Sequence, residues 1–225
     1  MSPSTELADG QLVTVTGTGF TPNDSVGMAE CKAVAGSTSE SNCDLDTVDF
    51  AFTDASGDFT IGYNVTRILN VNGGNVDCAV SLCLLGAADE SDYSVAASAA
   101  LEFNPDIPPE LSGTVSPTGG VNTKTGTAFL SGTVHCVAAA QVQVDVELSQ
   151  IYHRRFNFTN EVYRFVNCKP RRKGTAWKVR VPPGDGLYGK GKATAVAQFS
   201  APIGNSLRNY TATATVVLSP TTETK

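Results

Sequence analysis

Val76-Asp77-Cys78-Ala79-Val80-Ser81-Leu82-Cys83-Leu84-Leu85-Gly86 places two cysteines five residues apart, with apolar side chains on both sides. The spacing suits a tight hairpin whose two arms are tied by a disulfide. Short segments lead up to it. Residues 11–19 alternate and end in glycines, 20–24 form a turn, and 25–32 make a strand that carries Cys31. Residues 35–42 read as a loop. Residues 48–52 alternate with three apolar side chains on one face, 54–58 turn, and 59–65 return as the paired strand. Residues 70–74 read as a loop and 93–103 as a closing strand. About seven strands in about 100 residues predict an immunoglobulin-like sandwich.

The whole chain supports that class. Its 225 residues include 21 Gly and 11 Pro but only 2 Met, and no long segment has apolar residues at helical spacing. Many short strands joined by turns suit such a profile. No segment is long enough to span a bilayer.

Six cysteines allow 15 connectivities. The sequential one, Cys31–Cys43, Cys78–Cys83 and Cys136–Cys168, keeps each pair local. Zinc is the competing reading, but it wants tight cysteine or histidine pairs. The two histidines, His135 and His153, lie far from such spacing. Disulfides imply an oxidising compartment, hence a secreted or cell-surface protein. Met1-Ser2-Pro3-Ser4 is not followed by an apolar run, so the chain is expected in its form after removal of a leader.

Charge divides the chain. Residues 1–107 hold 2 Lys+Arg and 16 Asp+Glu, a net of −14, and residues 108–225 hold 14 and 6, a net of +8. Opposite signs predict two domains: an acidic sandwich over 1–104, a Pro-rich linker over 105–110 and a basic sandwich over 111–225.

The first half resembles the neocarzinostatin family. The resemblance rests on Leu7-Ala8-Asp9-Gly10, Val13-x-Val15-x-Gly17-x-Gly19-Phe20, Cys31, Cys43, Asp54-x-x-Gly57 and Val76-Asp77-Cys78-x4-Cys83, and it covers residues 3 to 104. It implies a seven-stranded immunoglobulin-like fold, secretion by an actinobacterium, and a cleft that in known members carries an enediyne chromophore. Those members are antitumour and antibacterial agents that act on DNA.

The implied cleft residues here are Ala33, Val48, Phe50, Leu84 and Ala88. Several depart from the family's pattern. Ala33 stands where neocarzinostatin has an indole, and Ala88 where a serine is expected. The cleft phenylalanine aligns with Val48, or with Phe50 after a two-residue shift. The segment from Arg67 to Cys78 is short, with Ile68, Leu69 and Val71 in place of stacking aromatics. Each lost aromatic pair removes about 0.5–1.5 kcal/mol beyond area burial. The cleft is therefore expected to be more aliphatic, suited to a small apolar ligand. The family's strand before Pro3-Ser4 is reduced to Met1 and Ser2, which predicts an open sheet edge where another strand could pair.

The second half repeats the design. Strands are expected over 111–115, 127–136, 142–148, 163–168, 176–181, 193–199 and 210–218, with a turn over 117–120 and Trp177 as the one large core residue. This half is similar to uncharacterised secreted actinobacterial β domains through the Leu-Ser-Gly-Thr-x-x-Cys segment at 130–136.

Nothing points to catalysis. No GxSxG, HExxH, Walker or complete GxGxxG pattern occurs. His135 and His153 read as packed or surface histidines. The glycine-rich segment 186–191 leads into a strand and reads as a hairpin loop. Asp44, Asp46 and Asp49 could offer oxygens to Ca²⁺, but the glycine and distal Glu of an EF-hand are missing, and a solvated acidic loop is the simpler reading. No metal or cofactor is expected. The basic candidates are Arg154 and Arg155 together with Arg171, Arg172 and Lys173. If they converge they suit a polyanion such as nucleic acid, a wall polymer or an acidic protein. Alternatively, they solubilise the domain or face its acidic neighbour.

The sequence thus predicts two immunoglobulin-like β-sandwich domains in tandem. The function expected is non-catalytic: an apolar-ligand cleft joined to a basic attachment domain. The alternatives are an extracellular adhesion or structural subunit that oligomerises through sandwich edges, and an antimicrobial chromophore carrier acting on DNA.

Overall fold

The computed structural model describes residues 1–35, 40–152, 156–204 and 206–221, with backbone alone at 152, 156–158 and 206. Among the described residues the fold is all-β apart from one short 3₁₀ turn at Glu40–Asn42. It divides into two compact units, Met1–Pro109 and Glu110–Lys225.

The first unit contains β1 (Leu12–Gly17), β2 (Ser25–Lys32), β3 (Cys43–Phe52), β4 (Phe59–Asn64), β5 (Ile68–Val71), β6 (Gly74–Asp77), β7 (Cys83–Asp89) and β8 (Ala96–Leu101). β1 and β4 pair antiparallel, while β3-β2-β7-β8 form a four-stranded sheet. Alternation explains the packing. Val13 and Val15 of β1, Phe59 and Tyr63 of β4, Val26 and Met28 of β2, and Leu85 of β7 share one buried core. Ser2 and Thr14 form one isolated bridge, exchanging backbone hydrogen bonds of 2.8 and 2.9 Å.

Two sequence expectations need correction here. Residues 70–74 are not a plain loop. They form the tip of a ribbon in which β5 pairs with β6 around Asn72 and Gly73, both at positive φ. Cys78 and Cys83 are bonded, but they do not tie the arms of one hairpin. β6 pairs with β5, whereas β7 pairs with β2 and β8. The disulfide closes the short turn where the chain leaves the ribbon and enters the four-stranded sheet. Cys31–Cys43 joins directly opposite residues of β2 and β3.

The second unit contains β9 (Leu111–Val115), β10 (Thr118–Asn122), β11 (Thr127–Cys136), β12 (Ala140–Tyr152), β13 (Phe156–Cys168), β14 (Thr175–Val181), β15 (Gly191–Ile203) and β16 (Ser206–Pro220). Its hydrogen-bonded path runs β13-β12-β15-β16-β10-β11-β14, with β9 also on β11. Of residues 117–120, expected as a turn, 118–120 instead open β10. Ser116 and Pro117 break the edge strand, so β9 pairs antiparallel with β11 while β10 also pairs parallel with β16. Strict alternation from Val142 to Leu148 buries every second side chain. Trp177 is joined in the core by Phe199 and by Tyr188, whose hydroxyl donates to the Leu148 carbonyl at 2.8 Å. Tyr188 lies in the glycine-rich segment. That segment is not a hairpin loop, because β14 and β15 do not pair with each other. Cys136–Cys168 staples the end of β11 to the end of β13.

Candidate ligand-binding face

The four-stranded sheet of the first unit has one buried and one outward face. Cross-strand register defines the outward one. Phe50 of β3, Gly27 of β2, Ala88 of β7 and Ala96 of β8 form one row, and Ala29, Gly86 and Ser98 form the next. Cys31, Leu84 and Ala100 make a third. The result is a lane of small side chains with Phe50 lying beside Gly27. A methyl group added at Gly27 would sit 3.5 Å from the Phe50 ring. Val48 and Phe52 alternate with Phe50 along β3, and all three are exposed. None of these positions carries a charge, in a half that holds 16 acids.

The sequence candidates therefore take the following places. Phe50, Leu84 and Ala88 share the outward face. Val48 flanks it on β3, and Ala33 follows β2 with its amide donating to the Leu82 carbonyl at 2.9 Å. Ile68 and Leu69, read above as substitutes for ligand-stacking aromatics, are instead buried. Leu69 packs in the core of the unit, and Ile68, on the other side of the strand, is covered as well. Ala29, Gly86 and Ser98 were not singled out from sequence. Small residues carry no chemical signature, and only the register brings them together.

The edge of this face is pinned by buried polar groups. Glu30 lies opposite Asp44, and β2 and β3 lose register between Met28 and Glu30. Thr47 spans the irregularity, accepting the Glu30 amide through its hydroxyl at 2.9 Å and the Tyr63 hydroxyl through its carbonyl at 2.6 Å. Asp44 is buried, not part of a solvated acidic loop. Its carboxylate accepts the amides of Asp46 and Asn70 at 3.0 and 2.7 Å, tying β3 to the ribbon. Burial pushes its pKa above the ordinary aspartate value, against the pull of those two amides. Tyr63 is likewise pushed up, first by burial and then by the Glu30 charge.

Asp77 of the Val-Asp-Cys motif meets the buried Arg67 fork on, at 2.7 and 2.9 Å. Partial burial opposes ionisation of Asp77. The Arg67 fork and the Ala79 amide outweigh it and hold the carboxyl below its usual range. Arg67 also donates to the Ile107 carbonyl, so it anchors the Pro-rich segment to this unit.

Among the described residues, no cluster of three His, Cys, Asp or Glu side chains is placed to hold a metal ion. No helix among them is long and apolar enough to cross a membrane. His135 packs against Gly174, where an added methyl group would approach its ring to 2.8 Å. Arg171, Arg172 and Lys173 are exposed in the turn between β13 and β14. Arg154 and Arg155 lie outside the described residues, so their convergence with that turn is not described.

The model of the Neocarzinostatin family matches residues 1–103. Over 95 residues the chain is 32% identical to the antitumor antibiotic C-1027 apoprotein of Streptomyces globisporus, covering 40% of this chain and 64% of that protein. The chain thus spans less than two thirds of that relative's length. Over 103 residues it is 32% identical to macromomycin of Streptomyces macromomyceticus, covering 43% of this chain and 70% of that one. A solved structure of macromomycin is 29% identical and covers 46% of this chain and 95% of its own, with a TM-score of 0.37. On the match that takes in 70% of macromomycin, the chain belongs to the neocarzinostatin family.

Proposed function

We propose that this is an exported, non-catalytic binding protein whose first unit holds a small apolar ligand on the outward face of β3-β2-β7-β8. The observation that carries this reading is the uncharged lane of Gly27, Ala29, Gly86 and Ala88 beside the exposed Phe50 ring. An apolar face left open on an otherwise acidic unit suits a ligand with no charge to desolvate. A relative whose name describes an antibiotic apoprotein supports a small-molecule cargo. The aliphatic lane favours a cargo that packs by shape over one held by ring stacking. Three disulfides support an oxidising compartment. The second unit, with its net positive charge, would attach the carrier to an anionic polymer of the envelope or another polyanion.

The test is titration of the full chain with the neutral fluorophore N-phenyl-1-naphthylamine. Saturable binding is expected, and Phe50→Ala should weaken it about tenfold, equivalent to about 1.4 kcal/mol. No saturable binding, or an affinity indifferent to Phe50, would overturn the ligand face.

A further inference from the structure

The second unit has an open groove of about 940 Å³ over β10, β11 and β14, bounded on one side by β13. Arg164, Lys178 and Arg180 line it, together with Phe129, Ser131 and Thr118, and no acidic residue among the described residues does. The arrangement follows from alternation. Trp177, Val179 and Val181 of β14 point into the core, so Lys178 and Arg180 project from the outer face. Arg180 pairs directly with Phe129 across the ladder, and its guanidinium lies 5.7 Å from the ring centroid. Lys178 pairs with Ser131 one row further on. Arg164 reaches across from β13 and donates to the Lys178 carbonyl at 2.8 Å.

Two features favour a linear polyanion over a compact anion. Lys178 and Arg180 are two residues apart on one strand, so their stems are separated by about 7 Å along it. That step is close to the separation of successive phosphates on an extended single strand. Back along the chain, β14 begins just after the exposed turn of Arg171, Arg172 and Lys173. An aromatic ring with a guanidinium beside it adds a flat surface for an unpaired base, which a featureless anionic chain would not use.

We propose that this groove binds single-stranded nucleic acid, with Arg164, Lys178 and Arg180 on the phosphodiester chain and the Phe129–Arg180 step as a platform for a base. The proposal rests on the reading of the second unit as a polyanion-binding module and gives that reading a site and a ligand.

The experiment measures fluorescence anisotropy of a labelled oligothymidylate 15-mer with the full chain, beside an abasic 15-mer of equal charge and poly-L-glutamate. Three phosphate contacts predict a log–log salt slope of about −2, a loss of about 20-fold between 50 and 200 mM salt. The K178A/R180A double variant should flatten that slope by about 1.4. R180K should keep the salt slope and lose most of the preference for oligothymidylate over the abasic chain. The emission of Trp177 reports whether each variant is folded.

Loss of binding only in an R171A/R172A/K173A variant would overturn the groove and leave the polyanion reading standing. Equal affinity for the abasic chain or for poly-L-glutamate would overturn the nucleic-acid assignment. No binding of any of the three at 20 mM salt would overturn both the groove and the polyanion reading.

Discussion

One added methyl group should act in opposite ways at Gly132 and Gly27. At Gly132 it would lie 1.8 Å from the Thr114 carbonyl oxygen and 2.6 Å from the Trp177 ring. Neither the backbone of β9 nor a fully packed indole can retreat cheaply. Gly132→Ala is expected to destabilise the second unit by about 3 kcal/mol, read as an earlier loss of Trp177 emission on heating. At Gly27 the same methyl group meets Phe50 at an ordinary 3.5 Å. Gly27→Ala should change stability by less than about 0.5 kcal/mol yet weaken naphthylamine binding, because it fills the lane beside the ring. Unchanged probe affinity in a folded Gly27→Ala protein would remove the lane from the ligand site. Neither role is legible in the sequence, where both glycines are interruptions in strands. Tyr188 was hidden for a related reason. Its glycine-rich surroundings signal a surface loop, whereas its hydroxyl finds the Leu148 carbonyl inside the core.

At the scale of elements, period-two alternation made most strands readable, and β2, β9 and β11 have the limits expected from sequence. Alternation does not say which strands pair. That is why the segment around Cys78 and Cys83 reads as one hairpin although it joins a ribbon to a sheet. It is also why β10, made of Thr118, two glycines, Val121 and Asn122, reads as a turn. Polar residues inside strands mislead in the same way. Asp44 looks like part of a solvated acidic run but is a buried clamp between β3 and β5. Its ionisation should therefore oppose folding. With a folded pKa above the unfolded value, the native state holds more protons in the interval between them. The Asp44 contribution is thus most favourable below the ordinary aspartate pKa and declines as pH rises through the folded value. Asp54 and Asp92, whose carboxylates accept local amide and hydroxyl hydrogen bonds, should show the opposite trend. Carbon-detected NMR titration of the carboxyl groups should put the Asp44 midpoint above 3.8 and those of Asp54 and Asp92 below it. An Asp44 midpoint at or below 3.8 would mean that the two amide hydrogen bonds outweigh burial, and would overturn the pH trend.

At the scale of the whole molecule, charge and cysteine placement carry the argument. The acidic half holds two short disulfide loops of 12 and 5 residues, and the basic half holds one of 32. Each unit has its own buried cluster, one drawn from Leu7 to Phe103 and the other from Leu111 to Leu218. Closing a 32-residue loop restricts the unfolded chain by about 3.7 kcal/mol in the chain-entropy account. If the two units unfold independently, that stabilisation belongs to the second alone. Calorimetry of the intact protein should then resolve two transitions, and replacing Cys136 and Cys168 by Ala should lower one of them by upwards of about 10 °C while the other stays in place. The single tryptophan provides a check that needs no variant. Trp177 is buried in the second unit, so its emission should follow only the calorimetric transition that the cysteine replacement moves. One cooperative transition, followed throughout by Trp177 and shifted as a whole by the replacement, would mean that the two cores stand or fall together. The charge boundary would then divide surfaces rather than folding units.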